Sequence, residues 1–398
     1  MVPSAFVKLE KVPLTPNGKV DRNALPAPEV SRQEPSRSYV GPRTALEVQV
    51  ARIWEEVLGV HPIGVRDNFF ELGGNSLLTI RLLSRIRAST GKSLPVAALF
   101  QEPTVEHLAG LLRKEAGPWS PLVEFRGGTG KRPFFCVHAV GGTVLGYVEL
   151  AQLLGPEQPF YGLQARGLDG DQEPSGSVEE MAALYIEAIR SVQPRGPYLL
   201  GGWSMGGSIA VEMARQLQAQ GEQVELLALI DSYDLSKSVE QSPLEQQGAS
   251  WLDALFYRDL LKAAGQEMPV SDEALARMGP EELRGALEEA SKAAAAVLGA
   301  GVQSLRALQS VFERNMRAAW KYGARPYEGR ITLFEASESS PRKQGTVRFA
   351  ASEVELHELE ADHYSLLRSP RVEELATRLR ECLERAHAAR PGTRETAS

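Results

Sequence analysis

The sequence predicts a multidomain chain: a small four-helix bundle, then an α/β domain with a mostly parallel sheet and a helical lid. Three observations carry this expectation. Over residues 41–115, short amphipathic helical patterns follow one another with no long strand-like run between them. From Leu122 onward, short apolar runs alternate with helical patterns, the signature of a parallel sheet covered by helices. Within that second region, Gly202-Trp203-Ser204-Met205-Gly206 joins the apolar run Tyr198–Leu200 to a helical pattern from Ile209 to Leu217. The 398 residues leave room for two or three domains. A formal charge of -7 gives no basic footprint, so nucleic acid is not an expected partner. The 2 cysteines, Cys136 and Cys382, cannot build a disulfide framework and fit a reducing cytoplasm. No signal peptide is visible, and the longest apolar run, Ala293–Leu298, is too short to span a bilayer. The 6 histidines show no metal-ligand spacing.

Taken in order, residues 1–34 open with a strand-like run, Phe6–Glu10, and then Asn17-Gly18, a hairpin signal that presents Lys19 just beyond the turn. The stretch Pro13–Arg22 closely resembles the end of an adenylation domain of a nonribosomal peptide synthetase. In that family the matching lysine contacts the substrate carboxylate and adenylate. The ATP-binding body of such a domain does not accompany it, so Lys19 is expected to support no adenylation. Residues 1–34 are thus read as the truncated C-terminal end of an adenylation domain with its linker, and Ala27–Ser38 as flexible.

In residues 41–115 a helix starts at Thr44, with Leu46, Val50, Ile53, Trp54, Val57 and Leu58 on its apolar face, and ends at Gly59. A loop leads to Asp67-Asn68-Phe69-Phe70-Glu71-Leu72-Gly73-Gly74-Asn75-Ser76-Leu77, after which a second helix runs to Thr90-Gly91. A turn around Leu94–Phe100 and a last helix, Thr104–Leu112, complete the bundle. Two glycines free the approach to Ser76, and a helix start tolerates a phosphodiester anion well. Phe69, Phe70 and Leu72 are expected to anchor the loop. The plainer reading is that Ser76 only caps its helix. The motif resembles the attachment site of a peptidyl or acyl carrier domain. That resemblance implies 4′-phosphopantetheine covalently on Ser76 and a phosphopantetheinyl transferase as partner. Many relatives have Asp or His where Asn75 stands.

Residues 122–387 supply the α/β unit. Strands are expected at Leu122–Phe125, Pro133–His138, Pro159–Leu163, Pro197–Leu200, Val224–Ile230, Arg330–Phe334 and Glu353–Leu359, with a helix at Val178–Val192. Gly127-Gly128-Thr129-Gly130-Lys131-Arg132 hints at a phosphate loop but fails, since Phe125 stands where its first glycine should be and Arg132 replaces Ser/Thr. Strand, Gly-x-Ser-x-Gly and helix together make a nucleophile elbow. Gly202 and Gly206 flank the serine because a Cβ there would collide with a neighbouring strand or helix. Asp231 directly follows a strand and His363 follows the last one, so Ser204, Asp231 and His363 fall in the order of an α/β-hydrolase. Asp234 is the reserve acid. His357 reads as a strand residue and His138 as a pocket-lining one, while His61, His107 and His387 read as solvated. Cys136 reads as packed rather than reactive. Residues 235–325 form a helical insertion expected to act as a lid, with Leu255, Phe256, Leu260 and Leu261 lining an acyl channel or simply packing. Residues 388–398 read as a tail.

This unit resembles the type I thioesterase domain of nonribosomal peptide and polyketide synthetases, through His138–Gly142, Gly202–Gly206, Leu229–Asp231 and Asp362–Tyr364. Relatives often carry Pro at the Ala139 position. The resemblance implies an oxyanion hole made from the backbone N–H groups of Met205 and of Val140 or its neighbour Ala139. Together the parts imply a termination unit: an acyl or peptidyl thioester on the carrier passes through an acyl-Ser204 ester and leaves by hydrolysis or macrocyclisation. Upstream synthetase modules are the implied partners, with no nucleic acid and no membrane. Two other readings stay open, a generic esterase with a helical appendage and a catalytically inactive carrier or docking module.

Overall fold

The computed structural model describes residues 39–94, 96–113, 119–128, 130–168, 170, 172–234, 249–263, 266–268, 270, 272–275, 277–298, 302–338, 349 and 353–388. The adenylation-like stretch with Lys19, and the tail beyond residue 388, lie outside the described residues.

The first body is helical: α1 (Ala45–Leu58), α2 (Ser76–Thr90), α3 (Val96–Gln101) and α4 (Val105–Arg113). Thr44 caps α1 in a reciprocal box: Glu47 N–H donates to Thr44 Oγ1 and Thr44 N–H donates to Glu47 Oε2, both at 3.2 Å. Gly59 stops the helix with φ 69°, a left-handed conformation that glycine adopts without strain. The apolar stripe of α1 meets Phe69, Leu82, Ile86, Leu99 and Leu108 in one buried cluster. Each fully buried side chain of that size contributes roughly 1.5–3 kcal/mol. The segment around Leu94–Phe100, expected as a turn, contains helix α3. Six residues hold under two turns, too few for periodicity to mark, and burial of Ala98 and Leu99 fixes it instead.

The second body is a 7-stranded sheet in the order β1-β3-β2-β4-β5-β6-β7. Its strands are β1 (Leu122–Arg126), β2 (Phe134–Val137), β3 (Phe160–Leu163), β4 (Tyr198–Trp203), β5 (Val224–Ile230), β6 (Ile331–Ala336) and β7 (Val354–Leu359). Only β1 runs antiparallel to its neighbour; the other pairings are parallel. Residues just after β2, β4, β5 and β7 therefore emerge at one edge of the sheet, where ligand sites of such sheets form. β4 alternates its burial across the two faces. Tyr198 and Leu200 pack under α6 (Val178–Arg190) and α7 (Met205–Ala219), whereas Leu199 packs towards α5 (Val148–Leu153) and α12 (Arg371–Ala388). Helix α5, at six residues, was not visible in the periodicity.

Between β5 and β6 lie α8 (Ala249–Ala263), α9 (Asp272–Leu275), α10 (Pro280–Leu298) and α11 (Val302–Lys321). Phe256 and Leu261 are buried packing residues, with Phe256 and Phe312 in edge contact at 5.6 Å. Leu255 and Leu260 are only partly buried.

The two bodies touch. Phe70 stacks on Phe100 at 5.3 Å, Phe100 meets Phe125 of β1 at 4.9 Å, and Phe125 meets Phe160 at 5.7 Å. Ile80, on α2, packs against the core of the larger body. Among the described residues, no helix is long and apolar enough to cross a membrane.

Candidate active site

β4 delivers Ser204 into a turn that only small flanking residues permit. Ser204 has φ 57° and ψ -126°, outside the regions L-residues favour. A Cβ on Gly202 would lie 2.2 Å from the Gly206 carbonyl carbon, and one on Gly206 would lie 2.3 Å from Val137 O. Both distances fall far inside the 3.0 Å that real Cβ atoms respect, so these glycines are required by space. The turn is pinned from both sides. Ser204 N–H donates to Ile230 O at 3.0 Å, while Tyr147 OH donates to Val137 O at 2.5 Å and accepts from Trp203 N–H at 3.1 Å. Strain of roughly 1–3 kcal/mol at such a residue persists only when its surroundings over-determine it.

Asp231 follows β5 at once, with φ 39°, and is buried. Its N–H donates to Phe334 O at 2.7 Å, and its Oδ1 accepts from Ala336 N–H at 3.2 Å. The other oxygen, Oδ2, lies 2.5 Å from His363 Nδ1. Trp203 holds the histidine's backbone from the serine side: its Nε1–H donates to His363 O at 3.1 Å, and the two rings lie 5.0 Å apart. Ser204, Asp231 and His363 are thereby brought to one sheet edge. Ser204 Oγ makes no hydrogen bond to His363 among the described residues; such contacts are commonly loose before substrate engages. The carboxylate that meets the imidazole is that of Asp231.

The loop after β2 carries a second set of groups. Met205 opens α7, so its N–H has no intrahelical acceptor. Val140 N–H has no acceptor among the described residues, while Val140 O accepts from Asn315 Nδ2 at 2.9 Å. His138 is buried under this loop, 2.6 Å from Ala139 O through Nδ1 and 2.7 Å from Tyr185 OH through Nε2. Burial pushes its pKa down to about 4, against a smaller opposing effect of the Ala139 carbonyl. The expectation that His138 lines a pocket is therefore corrected: it is a neutral, enclosed support for the loop.

The remaining histidines divide. His61 is exposed. His107 and His387, expected as solvated, are only partly so: His107 Nε2 is buried, and His387 lies 2.8 Å from Gln158 Oε1 with its pKa lowered by burial. His357 stacks on Phe334 at 5.0 Å within β7. Cys136 is buried, with burial pushing its thiol up to about 12. Asn315 and Asp259, whose contacts reach the site from the helices between β5 and β6, escape the sequence because nothing in a helical pattern marks which polar residue turns inward.

At the other body, the loop before α2 is built around Phe69, which is buried edge-on against Trp54 at 5.0 Å. Asn68 Oδ1 accepts from Phe70 N–H at 2.9 Å, and Gly74 N–H donates to Phe69 O at 2.9 Å. A Cβ on Gly74 would fall 2.3 Å from the Phe69 ring, so the loop closes only with glycine there. Gly73 has φ 96° and open space beside it. Asn75 is the capping residue: its Oδ1 accepts from Leu78 N–H at 3.0 Å. Ser76 is thus the first residue of α2 and not its cap. A helix N-terminus with open space on the preceding glycine suits a covalently held phosphodiester.

Family comparison agrees with this division. The Thioesterase domain model matches residues 132–383, and the Phosphopantetheine attachment site model matches residues 48–112. A dimodular nonribosomal peptide synthase of Bacillus subtilis (strain 168) is 46% identical over 235 residues, covering 58% of this chain and 10% of its own. An indigoidine synthase of Streptomyces lavendulae is 32% identical over 382 residues, covering 92% of this chain and 29% of its own. The chain thus spans less than a third of either relative. Among solved structures, a holo four-domain nonribosomal peptide synthetase bound to AMP and glycine matches with a TM-score of 0.61 and 32% identity. That match covers 96% of this chain and 29% of the other.

Proposed function

The chain belongs to the thioesterase-domain family and joins that domain to a phosphopantetheine attachment site, as nonribosomal peptide synthetases do; on that footing we propose that it releases a finished acyl or peptidyl chain. Ser76 is the residue we assign to hold the arm, whose thiol supplies the acyl group as a thioester. Ser204, His363 and Asp231 are assigned as nucleophile, base and orienting acid, and Val140 and Met205 as oxyanion donors. The observation that carries the reading is the 2.5 Å contact of His363 Nδ1 with Asp231, on a histidine whose backbone carbonyl is held by Trp203, the residue before Ser204.

With Nδ1–H donated to Asp231, Nε2 is the free base. It takes the Ser204 proton as Oγ bonds to the thioester carbonyl carbon. The carbonyl oxygen gains charge and is met by the two backbone N–H groups, each worth about 3 kcal/mol to such a transition state. The C–S bond breaks, and His363 returns its proton to the departing sulfur. In the second half, His363 deprotonates water or an internal amine or hydroxyl, which attacks the ester carbonyl. The C–Oγ bond breaks and the proton goes back to Ser204. Residues 1–34 resemble an adenylation-domain end, which fits upstream synthetase modules and a phosphopantetheinyl transferase as partners.

Incubation with coenzyme A and a phosphopantetheinyl transferase tests the carrier half: intact mass rises for the wild type and not for Ser76→Ala. For the hydrolase half, a fluorophosphonate probe is expected to label Ser204 and to fail on Ser204→Ala. An unlabelled wild type would favour an inactive docking module, and release that ignores Ser76 would favour a free-standing esterase.

A further inference from the structure

Helix α8 brings a carboxylate to the site that the acyl-transfer steps do not use. Asp259 Oδ1 accepts from Tyr364 OH at 2.8 Å, and Tyr364 directly follows His363. Asp259 Oδ2 lies 3.6 Å from where a Cβ on Gly141 would stand, beside the loop that holds Val140. The carboxylate therefore stands between the loop carrying the base and the loop carrying an oxyanion donor. It keeps partial exposure, yet burial is the largest influence on it and raises its pKa, with donation from Tyr364 and the charges of His363 and Arg258 acting the other way. Among the described residues, Oδ2 receives no hydrogen bond and Asp259 forms no ion pair. A carboxylate partly withdrawn from water and bonded through one oxygen only gains from an arriving cation at the other.

We propose that Asp259 recognises a primary ammonium on the acyl group, within a few bonds of the scissile carbonyl. The proposal rests on the chain-release reading above and narrows its substrate class. An ammonium has three donors and a compact charge, which suits a single open carboxylate oxygen in a recess. Two acyl classes present such a group: an aminoacyl group through its α-ammonium, and a peptidyl group through a short side-chain ammonium on its last residue. Acyl groups that are neutral near the carbonyl would leave Oδ2 unsatisfied and are expected to react more slowly.

The test compares alanyl-, lactoyl- and Nα-acetyl-2,4-diaminobutyryl-pantetheine as thioester donors to the full chain, reading kcat/KM. The lactoyl group has the shape of alanyl with a neutral hydroxyl. The wild type should favour one of the ammonium donors over lactoyl by about tenfold or more, the scale of a charge-assisted hydrogen bond. Which donor is favoured tells the α-ammonium from the side-chain ammonium. Asp259→Asn keeps an oxygen for Tyr364 and removes the charge, so the ratio between donors should collapse towards one, whatever the absolute rates. A wild type without preference, or a preference that survives in Asp259→Asn, overturns the proposal. Should none of the donors turn over, the release reading fails, and binding to Ser204→Ala then decides the ammonium site separately. One of the two ammonium donors must bind about tenfold tighter than lactoyl-pantetheine, and the added Asp259→Asn change must erase that difference; equal binding of all three overturns it.

Discussion

Ser204 and Asp231 both hold positive φ angles, 57° and 39°, and both stand immediately after strands whose ends are tied by hydrogen bonds. Strain of this kind is tolerable where neighbours leave no alternative, and the glycines show how little space remains. Gly202→Ala would force a 2.2 Å approach to the Gly206 backbone, so it should lose fluorophosphonate labelling and lower the melting temperature together. His138 makes a pH-dependent contribution whose sign follows from its burial. Its pKa falls from 6.5 to about 4 on folding, so between these values the unfolded chain binds the extra proton. Stability is then fully present above about pH 6.5 and declines towards pH 4, by roughly 3 kcal/mol from this residue. Melting curves at pH 7 and pH 5 should show a smaller difference in His138→Gln than in the wild type; an equal difference would mean the histidine is already charged in the fold. That Ser204, Asp231 and His363 come to one sheet edge was legible because each follows a strand of the parallel sheet, and strand ends are readable. His387 is less exposed than its local pattern suggests because it meets Gln158, far along the chain, which local pattern does not report.

At the scale of elements, the loop and helix at the carrier attachment site illustrate what pattern reveals and what it hides. The two glycines read as freeing the approach to Ser76, yet at Gly74 the Phe69 ring takes the space, so that glycine serves to close the loop. The cap is less legible, since adjacent Asn75 and Ser76 are both good capping residues and only geometry separates them. Asn75→Ala should destabilise the bundle by about 1 kcal/mol while leaving phosphopantetheine addition possible; unchanged stability would argue against the cap. Helix α11 supplies a matching case. Asn315 of α11 is buried and holds Val140 O at 2.9 Å, with its own Oδ1 unpartnered among the described residues. Asn315→Ala should lower kcat about tenfold with little change in probe labelling, if the donor loop drifts. Short helices α3 and α5 escaped notice for a common reason: six residues carry less than two turns of pattern.

The whole molecule couples its two bodies through an aromatic line, Phe70, Phe100, Phe125 and Phe160, and through Ile80 beside the larger core. The sequence puts Phe100 at the end of a turn and Phe125 at the end of a strand, but does not tell that the two face each other across the junction. Phe100→Ala should slow release of acyl groups tethered at Ser76 and leave turnover of free pantetheine thioesters alone; slowing both equally would deny the junction a role in handover. The central claim, passage of one acyl group from the carrier serine to the hydrolase serine, has a direct test. The full chain is loaded at Ser76 with an isotopically labelled acyl group, quenched in acid at successive times, and its peptic peptides are weighed. Label should leave the Ser76 peptide, appear transiently on the Ser204 peptide, and stall on the Ser76 peptide in Ser204→Ala. Label that departs from Ser76 at an undiminished rate in Ser204→Ala, never visiting the Ser204 peptide, would contradict the claim.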